Sequence, residues 1–578
     1  MQTFYNKYRK IIEYVIYPLA LIILPVMNYN QGVDVSDSTY SLGNYLFADG
    51  LDGMWMMSTY LSNLFGKMLL KLPGATSLRI ANIYTGLLLG AIGLMIYLIL
   101  KTDFDARYVF LGEFAAISFC WIPTGILYNY LSYFVMAAGA LALYKGIMKD
   151  SKKYLFLAGI LLGMNVFVRI PNITQMALIT ALWFACFVQK KNVVRPTLVC
   201  IGGYAVGAGL PAGILVAKYK IEGILDMISG LSGITSTDET YTPLSMITGP
   251  IKAYIKSSKW IALVVLVVAC GVIMFKVLPK KMTAIKVIVY VAVIALMVRF
   301  FWGRGMFSFR YYEDYTSIYE WVVMVLLFSI AVDIYIIAKA VFERTNDIAT
   351  GSIRKSEYVM AVISLVVIFI APLGSNNNLY QNMNNMFLVM PFTVYMLFKI
   401  IVAAWKKKDY TSVPVAVMLY ILMSIVLIQG FGFSLNFVFR DGMRGEIRDT
   451  QITGIASLEG MYTNEDNAVT IMELSQFMDK QDYNSVILFG DCPGITYILD
   501  KPSALFSSWI DLDSNSSEQI ASELNELMNS KENIPVIVRD FQGTAIAYEE
   551  KKKLINDYID KGAYTLAFEN NQYKVYMR

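Results

Sequence analysis

Asp34-Val-Ser-Asp37-Ser-Thr-Tyr40 follows directly on the first apolar segment, residues 11–27, of a 578-residue chain. Two carboxylates this close to a hydrophobic run are costly without water, partners or a task. Downstream of them, Leu42, Tyr45, Leu46, Tyr60, Leu64 and Phe65 recur at helical spacing, interrupted by Asp49-Gly-Leu-Asp-Gly53. That pattern predicts one or two amphipathic helices lying in the membrane interface, with aromatic rings at headgroup depth. Residues 28–77 therefore read as a structured loop that holds Asp34 and Asp37 against the bilayer surface.

The rest of the chain supplies the bilayer context. Hydrophobic residues make up 56% and charged residues 16%, whereas a soluble surface needs roughly 25% charge. A spanning helix takes about 20 mostly apolar residues. On that rule spans fall near 11–27, 78–100, 108–124, 129–146, 154–170, 172–188, 196–217, 260–278, 284–301, 318–341, 357–373, 386–404 and 413–430. The first follows Lys7, Arg9 and Lys10 as a signal peptide would. No small-x-small site follows Leu24, so it reads as a retained anchor.

Alternating these spans assigns 67 residues to inner pieces, which hold 22 Lys or Arg, and 130 to outer connections, which hold 10. The bias of basic residues towards cytoplasmic loops then predicts a cytoplasmic amino terminus. With thirteen crossings, everything after residue 430 lies outside. The expectation is a multi-pass plasma-membrane protein of two parts, a transmembrane module over 1–430 and an extracytoplasmic domain over 431–578.

That outer tail has 13 basic and 23 acidic residues. Asn484–Gly490, Ile534–Arg539, Ala563–Phe568 and Tyr573–Met577 read as strands, the last two as a hairpin across Asn570-Asn571. Residues 467–480, 517–529 and 546–561 show helical spacing, and Ser516-Ser517 can cap the second helix. A small α/β unit with a mixed sheet follows. Gly490-Asp-Cys-Pro-Gly494 is too short and ill-spaced for a phosphate-binding loop.

Histidine is absent, which excludes Ser-His-Asp and Cys-His nucleophiles, a histidine base and a histidine zinc site. The five cysteines are scattered without a C-x-x-C pair, so neither a disulfide framework nor a metal cluster is indicated.

A basic amino terminus, an acidic first outer loop with interfacial helices, about a dozen spans and an outer α/β tail together resemble the GT-C glycosyltransferases. More narrowly, the chain resembles bacterial relatives of the protein O-mannosyltransferases and aminoarabinose transferases. In that group an acidic motif of the first outer loop, Asp-Glu or Asp followed shortly by Tyr, marks the catalytic site. Asp37-Ser-Thr-Tyr40 matches at Asp and Tyr but carries Ser38 at the second position, where Asp34 can compensate. Asn129-Tyr-Leu-Ser-Tyr133 and Val168-Arg169-Ile-Pro-Asn172 are also similar to the group, which makes Tyr40, Asn129, Tyr133 and Asn172 candidate substrate contacts. The resemblance implies a GT-C-like polytopic α-helical membrane protein of about 13 transmembrane helices, with an extracytoplasmic α/β domain. It also implies a polyprenyl-phosphate sugar donor, an external site and inversion at the anomeric carbon. The acceptor is a glycan, a lipid or a protein; membrane lipids are the only other partners indicated, and no nucleic acid.

Such a transfer needs a base for the acceptor hydroxyl, and without histidine a carboxylate serves. Asp37 is the first candidate, with Asp34 orienting it or sharing a divalent ion, Mg2+ or Mn2+. The plainer reading makes either aspartate a helix cap. Departure of the lipid phosphate calls for cations. Arg169, Arg304 and Arg310 are the candidates, since arginine grips phosphate through a paired donor fork; snorkelling to headgroups is their plainer role. Glu313 and Asp314 either neutralise the neighbouring arginines or supply a second acidic group. Ser229–Tyr241, rich in small polar residues, reads as an exposed connection or a lid, and Asn376–Asn385 as an amide-rich turn or a sugar contact. Two rival classes remain at this point, a transporter or flippase of lipid-linked sugars and a polysaccharide polymerase or ligase. A transporter would show paired halves, and no repeat is visible.

Overall fold

The computed structural model describes residues 2–578 except 52, 124, 238–241, 311, 313, 347–352, 376, 408, 442–445, 513–514, 530–532, 542 and 544–545. The first outer segment comes before the main bundle: α1 (Gln2–Ile11) runs through a π turn into α2 (Tyr17–Ile23), followed by three short helices, α3 (Asp37–Leu46), α4 (Gly53–Ser58) and α5 (Tyr60–Leu69). The bundle then comprises α6 (Leu78–Leu100), α7 (Ala106–Ser118), α8 (Tyr128–Met148), α9 (Lys152–Val168), α10 (Thr180–Val188), α11 (Val194–Thr237), α12 (Pro243–Val277), α13 (Thr283–Gly303), α14 (Tyr319–Thr345), α15 (Lys355–Ile370), the short α16 (Tyr380–Met383), α17 (Met390–Lys407) and α18 (Ser412–Asn436). Every one of the thirteen expected spans is helical over most of its length. Among the described residues, eight helices are long and apolar enough to cross a membrane by length and composition.

Several expected boundaries move. The break after α3 falls at 47–52, as the Asp/Gly cluster predicts. Residues 218–259, expected as a loop, are mostly helix: α11 continues to Thr237 across a kink at Lys220 (φ 58°), and α12 starts at Pro243. Thr242 caps α12 by accepting from the Ser245 N–H at 3.2 Å, and proline is at home in a first helical turn, where its missing N–H costs nothing. The proposed lid at Ser229–Tyr241 is therefore helical up to Thr237, and its last residues lie outside those described.

Packing in the bundle depends on close backbone approach. Gly159 and Gly163 on α9 face Gly203 and Gly207 on α11, and a Cβ built on Gly203 would sit 2.1 Å from the Phe156 carbonyl oxygen. Small residues four apart on both partners let two helices touch backbone to backbone, which substitutes for the hydrophobic driving force that lipid does not provide. Asn376–Asn385, read as a solvated turn or sugar contact, is largely interior: Gln381, Asn382, Asn384 and Asn385 are all buried. Their amides brace the chain between α15 and α17, as where the Asn382 amide donates to the Ile368 carbonyl at 2.9 Å.

The tail forms α19 (Glu465–Met478), α20 (Ile495–Leu499), α21 (Ser517–Met528) and α22 (Ile546–Lys561), with a two-residue ladder of β1 (Thr450–Gln451) and β2 (Tyr462–Thr463). Its main sheet is β3 (Ile487–Phe489), β4 (Val536–Arg539), β6 (Tyr573–Met577) and β5 (Thr565–Glu569) in that spatial order. β3 and β4 are parallel; β4, β6 and β5 are antiparallel. The sheet is mixed, as the strand and helix signals predict, and Ser516 caps α21 through Gln519.

A candidate active site where the first outer loop meets the tail

The site begins with how α3 starts. Asp34 is buried and spends both carboxylate oxygens locally: Oδ1 accepts from the Ser36 N–H (2.9 Å) and hydroxyl, Oδ2 from the Ser38 N–H at 2.8 Å. The Ser38 N–H is one of the orphan donors of the α3 amino terminus, so Asp34 reaches past the N-cap residue Ser36 to satisfy it. Asp37 is released from that task. It opens α3 with its side chain 37% exposed, and its Oδ2 accepts from the Arg440 guanidinium at 2.8 Å.

Arg440 comes from beyond the last membrane helix, 403 residues along the chain. Its backbone is left-handed (φ 48°), a conformation that costs a non-glycine residue energy and marks functional turns. The turn sends Asp441 the opposite way, inward, where it accepts from Thr463 (2.6 Å) and Asn467 (3.1 Å) and pairs with Arg448 at 3.3 Å. Residues 30–32 join the same region, with Gly32 N–H on the Tyr462 carbonyl at 2.7 Å. The guanidinium of Arg440 also reaches Asp491 at 3.3 Å.

Asp491 lies in the loop after β3, again left-handed (φ 56°), and its N–H donates to Asp511 at 2.7 Å. This is the Gly490–Gly494 loop, and it docks on α3: the Gly494 N–H donates to the Val35 carbonyl at 2.8 Å. A Cβ on Gly494 would stand 1.7 Å from Thr39 Oγ1, so only glycine permits the contact. Tyr40, one turn after Asp37, sets its ring edge-on to Trp509 of the tail at 5.3 Å.

One guanidinium thus serves two carboxylates. Burial makes ionisation of Asp37 costly, and Asp34 and Asp491 add repulsion that Arg440 only partly offsets, so its carboxyl is pushed up to about 6. Asp491 is likewise pushed up to about 6, by burial first, with Asp511 and Asp34 adding to it and Arg440 and Arg539 opposing. Burial pushes the Tyr40 phenol up to about 12, with Tyr128 and Asp37 adding to it and hydrogen bonds with Asn44 and Ser507 opposing. A carboxylate that titrates near 6 is a competent base at neutral pH and holds a proton more tightly than an ordinary aspartate.

The other predicted residues separate into three groups. Arg169 stands at the mouth of the bundle, donating to the Gly374 carbonyl (2.8 Å) and Asn129 (3.4 Å) and lying 5.5 Å over the Tyr128 ring. No described contact joins Arg169 or Asn129 to Asp37. Tyr133 and Asn172 are both buried, bonded to Gln381 (2.8 Å) and the Asn165 carbonyl (2.8 Å) in an amide network that holds helices together. Arg304 is exposed on α13 with its guanidinium over Phe300, and Arg310 is exposed with its N–H on Ser308. No described contact brings either to Asp37. Asp314 accepts from Thr316 at 2.8 Å in the turn before α14, and Glu313 lies outside the described residues.

Arg440 and Asp491 are the residues that sequence reasoning missed. A signal existed for Asp491, since loops at the carboxyl ends of strands in α/β sheets carry binding groups. Nothing local to Arg440 distinguishes it from other arginines. Asp34 holds both oxygens in hydrogen bonds from Ser36 and Ser38, and Asp37 holds one on Arg440. Among the described residues no group of three or more acidic or cysteine side chains could hold a metal.

No family model and no curated protein matches the sequence. Solved structures align to it at low identity. The Archaeoglobus fulgidus oligosaccharyltransferase, solved with zinc and sulfate, aligns at TM-score 0.47 and 14% identity over 91% of this chain and 67% of its own. ArnT from Cupriavidus metallidurans bound to undecaprenyl phosphate aligns at 0.37 and 11% over 98% and 97%, and its apo state at 0.32 and 11% over 97% and 96%. Both are GT-C glycosyltransferases, the group that the sequence resembles. At such identities the roles of residues rest on the geometry of this chain alone.

Proposed function

We propose that this protein transfers a sugar from a polyprenyl-phosphate donor to a hydroxyl acceptor at the extracytoplasmic membrane surface, with Asp37 as general base. The observation that carries the reading is an accessible carboxylate of raised proton affinity at the membrane-proximal loop, facing a cation. Asp37 takes the acceptor proton as that oxygen attacks the anomeric carbon from the face opposite the lipid phosphate. The bond from anomeric carbon to phosphate oxygen breaks, and the configuration inverts. Charge that develops on the departing phosphate lies within reach of arginine, with Arg440 at the base and Arg169 at the bundle mouth as the groups that offset it. Arg304 and Arg310 keep a role in first capture of the donor. The tail, residues 431–578, belongs to the catalytic unit because it supplies Arg440 and Asp491.

The test is genetic and chemical. Deleting the gene should remove one sugar substituent from the cell-envelope glycans seen by mass spectrometry, and the wild-type chain should restore it. Asp37→Asn should be made and inserted normally yet restore nothing; restoration by Asp37→Asn would remove the base and the reading with it.

A further inference from the structure

At the opposite face of the bundle, the carboxyl end of α10, the amino end of α11 and the carboxyl end of α14 enclose a cavity of about 900 Å³. All three ends belong to the side that carries the excess of lysine and arginine. Among the described lining residues three are cations, Lys190, Lys191 and Arg344, and none is acidic. The remainder is mostly apolar. Trp183 and Phe187 form the floor, 45% and 42% exposed. The indole N–H of Trp183 is fixed on Thr197 at 3.0 Å.

Arg344 and Lys191 have described side-chain partners. Arg344 lies 4.0 Å over the Phe187 ring and donates its Nε to the Phe187 carbonyl at 3.0 Å; no described carboxylate pairs with it. Lys190 closes α10 in a Schellman turn, with its N–H on Phe187 and that of Lys191 on Cys186. Its φ is 54°, at the position where glycine is the unstrained choice. Lys191 extends to Asp150 at 2.7 Å, and Asp150 also faces Lys355 at 3.9 Å. From the rim the apolar floor continues along α11 through Val194 and Leu198, 59% and 62% exposed.

A cationic rim above an apolar floor that opens onto a helix flank matches a molecule with an anionic head and hydrocarbon tails. We propose that this cavity binds an anionic phospholipid, its phosphodiester among Arg344, Lys190 and Lys191 and its acyl chains along α10 and α11. Basic pockets between helices at the cytoplasmic surface recognise such headgroups through this combination of charge and apolar contact. The site is independent of Asp37 and of the proposed reaction.

Native mass spectrometry of the purified full chain, offered dioleoylphosphatidylglycerol or dioleoylphosphatidylcholine, reads the proposal directly. The wild type should retain the phosphatidylglycerol preferentially. Arg344→Gln with Lys191→Gln should reduce that preference by roughly five-fold per cation lost, with an unchanged melting temperature in phosphatidylcholine. Should the double variant not fold, Lys190→Gln alone reads the same preference. Equal retention of both lipids by the wild type, or an undiminished preference in the variants, overturns the proposal. So does loss of the preference in millimolar inorganic phosphate, which would make the cavity a free-anion site.

Discussion

Asp34 and Asp37 look alike on paper, three residues apart before the same helix, and the structure gives them opposite work. Asp34 satisfies donors at the start of α3, whereas Asp37 stays 37% exposed and faces Arg440. Their amides should therefore behave differently. Asn can still accept a cap hydrogen bond, so Asp34→Asn should keep most activity, and Asp34→Ala should cost about 1 kcal/mol of local stability, seen as a lowered melting temperature. Asp37→Asn should leave melting unchanged and end transfer. Because Asp37 titrates near 6, the transfer rate should fall through an acid limb centred there, as the base takes up its proton. Asp491→Asn removes a repelling charge and leaves Arg440 wholly to Asp37, so the limb should move to lower pH. Arg440→Gln removes the cation that favours the ionised form, and the limb should move to higher pH. A limb that stays fixed in both variants would mean that Asp37 is not the titrating base. The acid itself was visible in the sequence by its place after the first span. Arg440 was not, because its approach depends on a left-handed residue 403 positions away.

At the scale of elements, the docking of α3 against the loop after β3 is what assembles the site. Gly494 is the tightest point, since any Cβ there meets Thr39. Gly494→Ala should push the loop off α3 and reduce transfer at least ten-fold, while the tail stays folded. Circular dichroism and limited proteolysis of the full chain would check that separation. Apolar periodicity placed every membrane helix and every main strand of the tail. It failed over 218–259, where small and charged residues mimic a loop although the helices run on, because a helix end outside the bilayer needs no apolar face. It also misjudged the Asn376–Asn385 stretch. Amides read as hydrophilic in a sequence, yet buried ones are stable when their hydrogen bonds are made within the protein.

For the molecule as a whole, the excess of lysine and arginine on one set of connections predicts which side is which. A cysteine introduced at Glu550 in the tail should react with a membrane-impermeant maleimide in intact cells, and one at Lys149 should react only after permeabilisation; the reverse pattern would invert the topology. The sequence by itself determined the order of the long apolar helices, the α/β character of the tail and the place of the acidic loop, because hydrophobic length, periodicity and charge bias act locally and survive without a partner. Only the tertiary structure decided which aspartate is spent at the start of α3, which arginine faces Asp37, and that the loop after β3 packs on α3. The last two depend on contacts between residues hundreds of positions apart, and chain folding, not local preference, brings such groups to hydrogen-bonding distance.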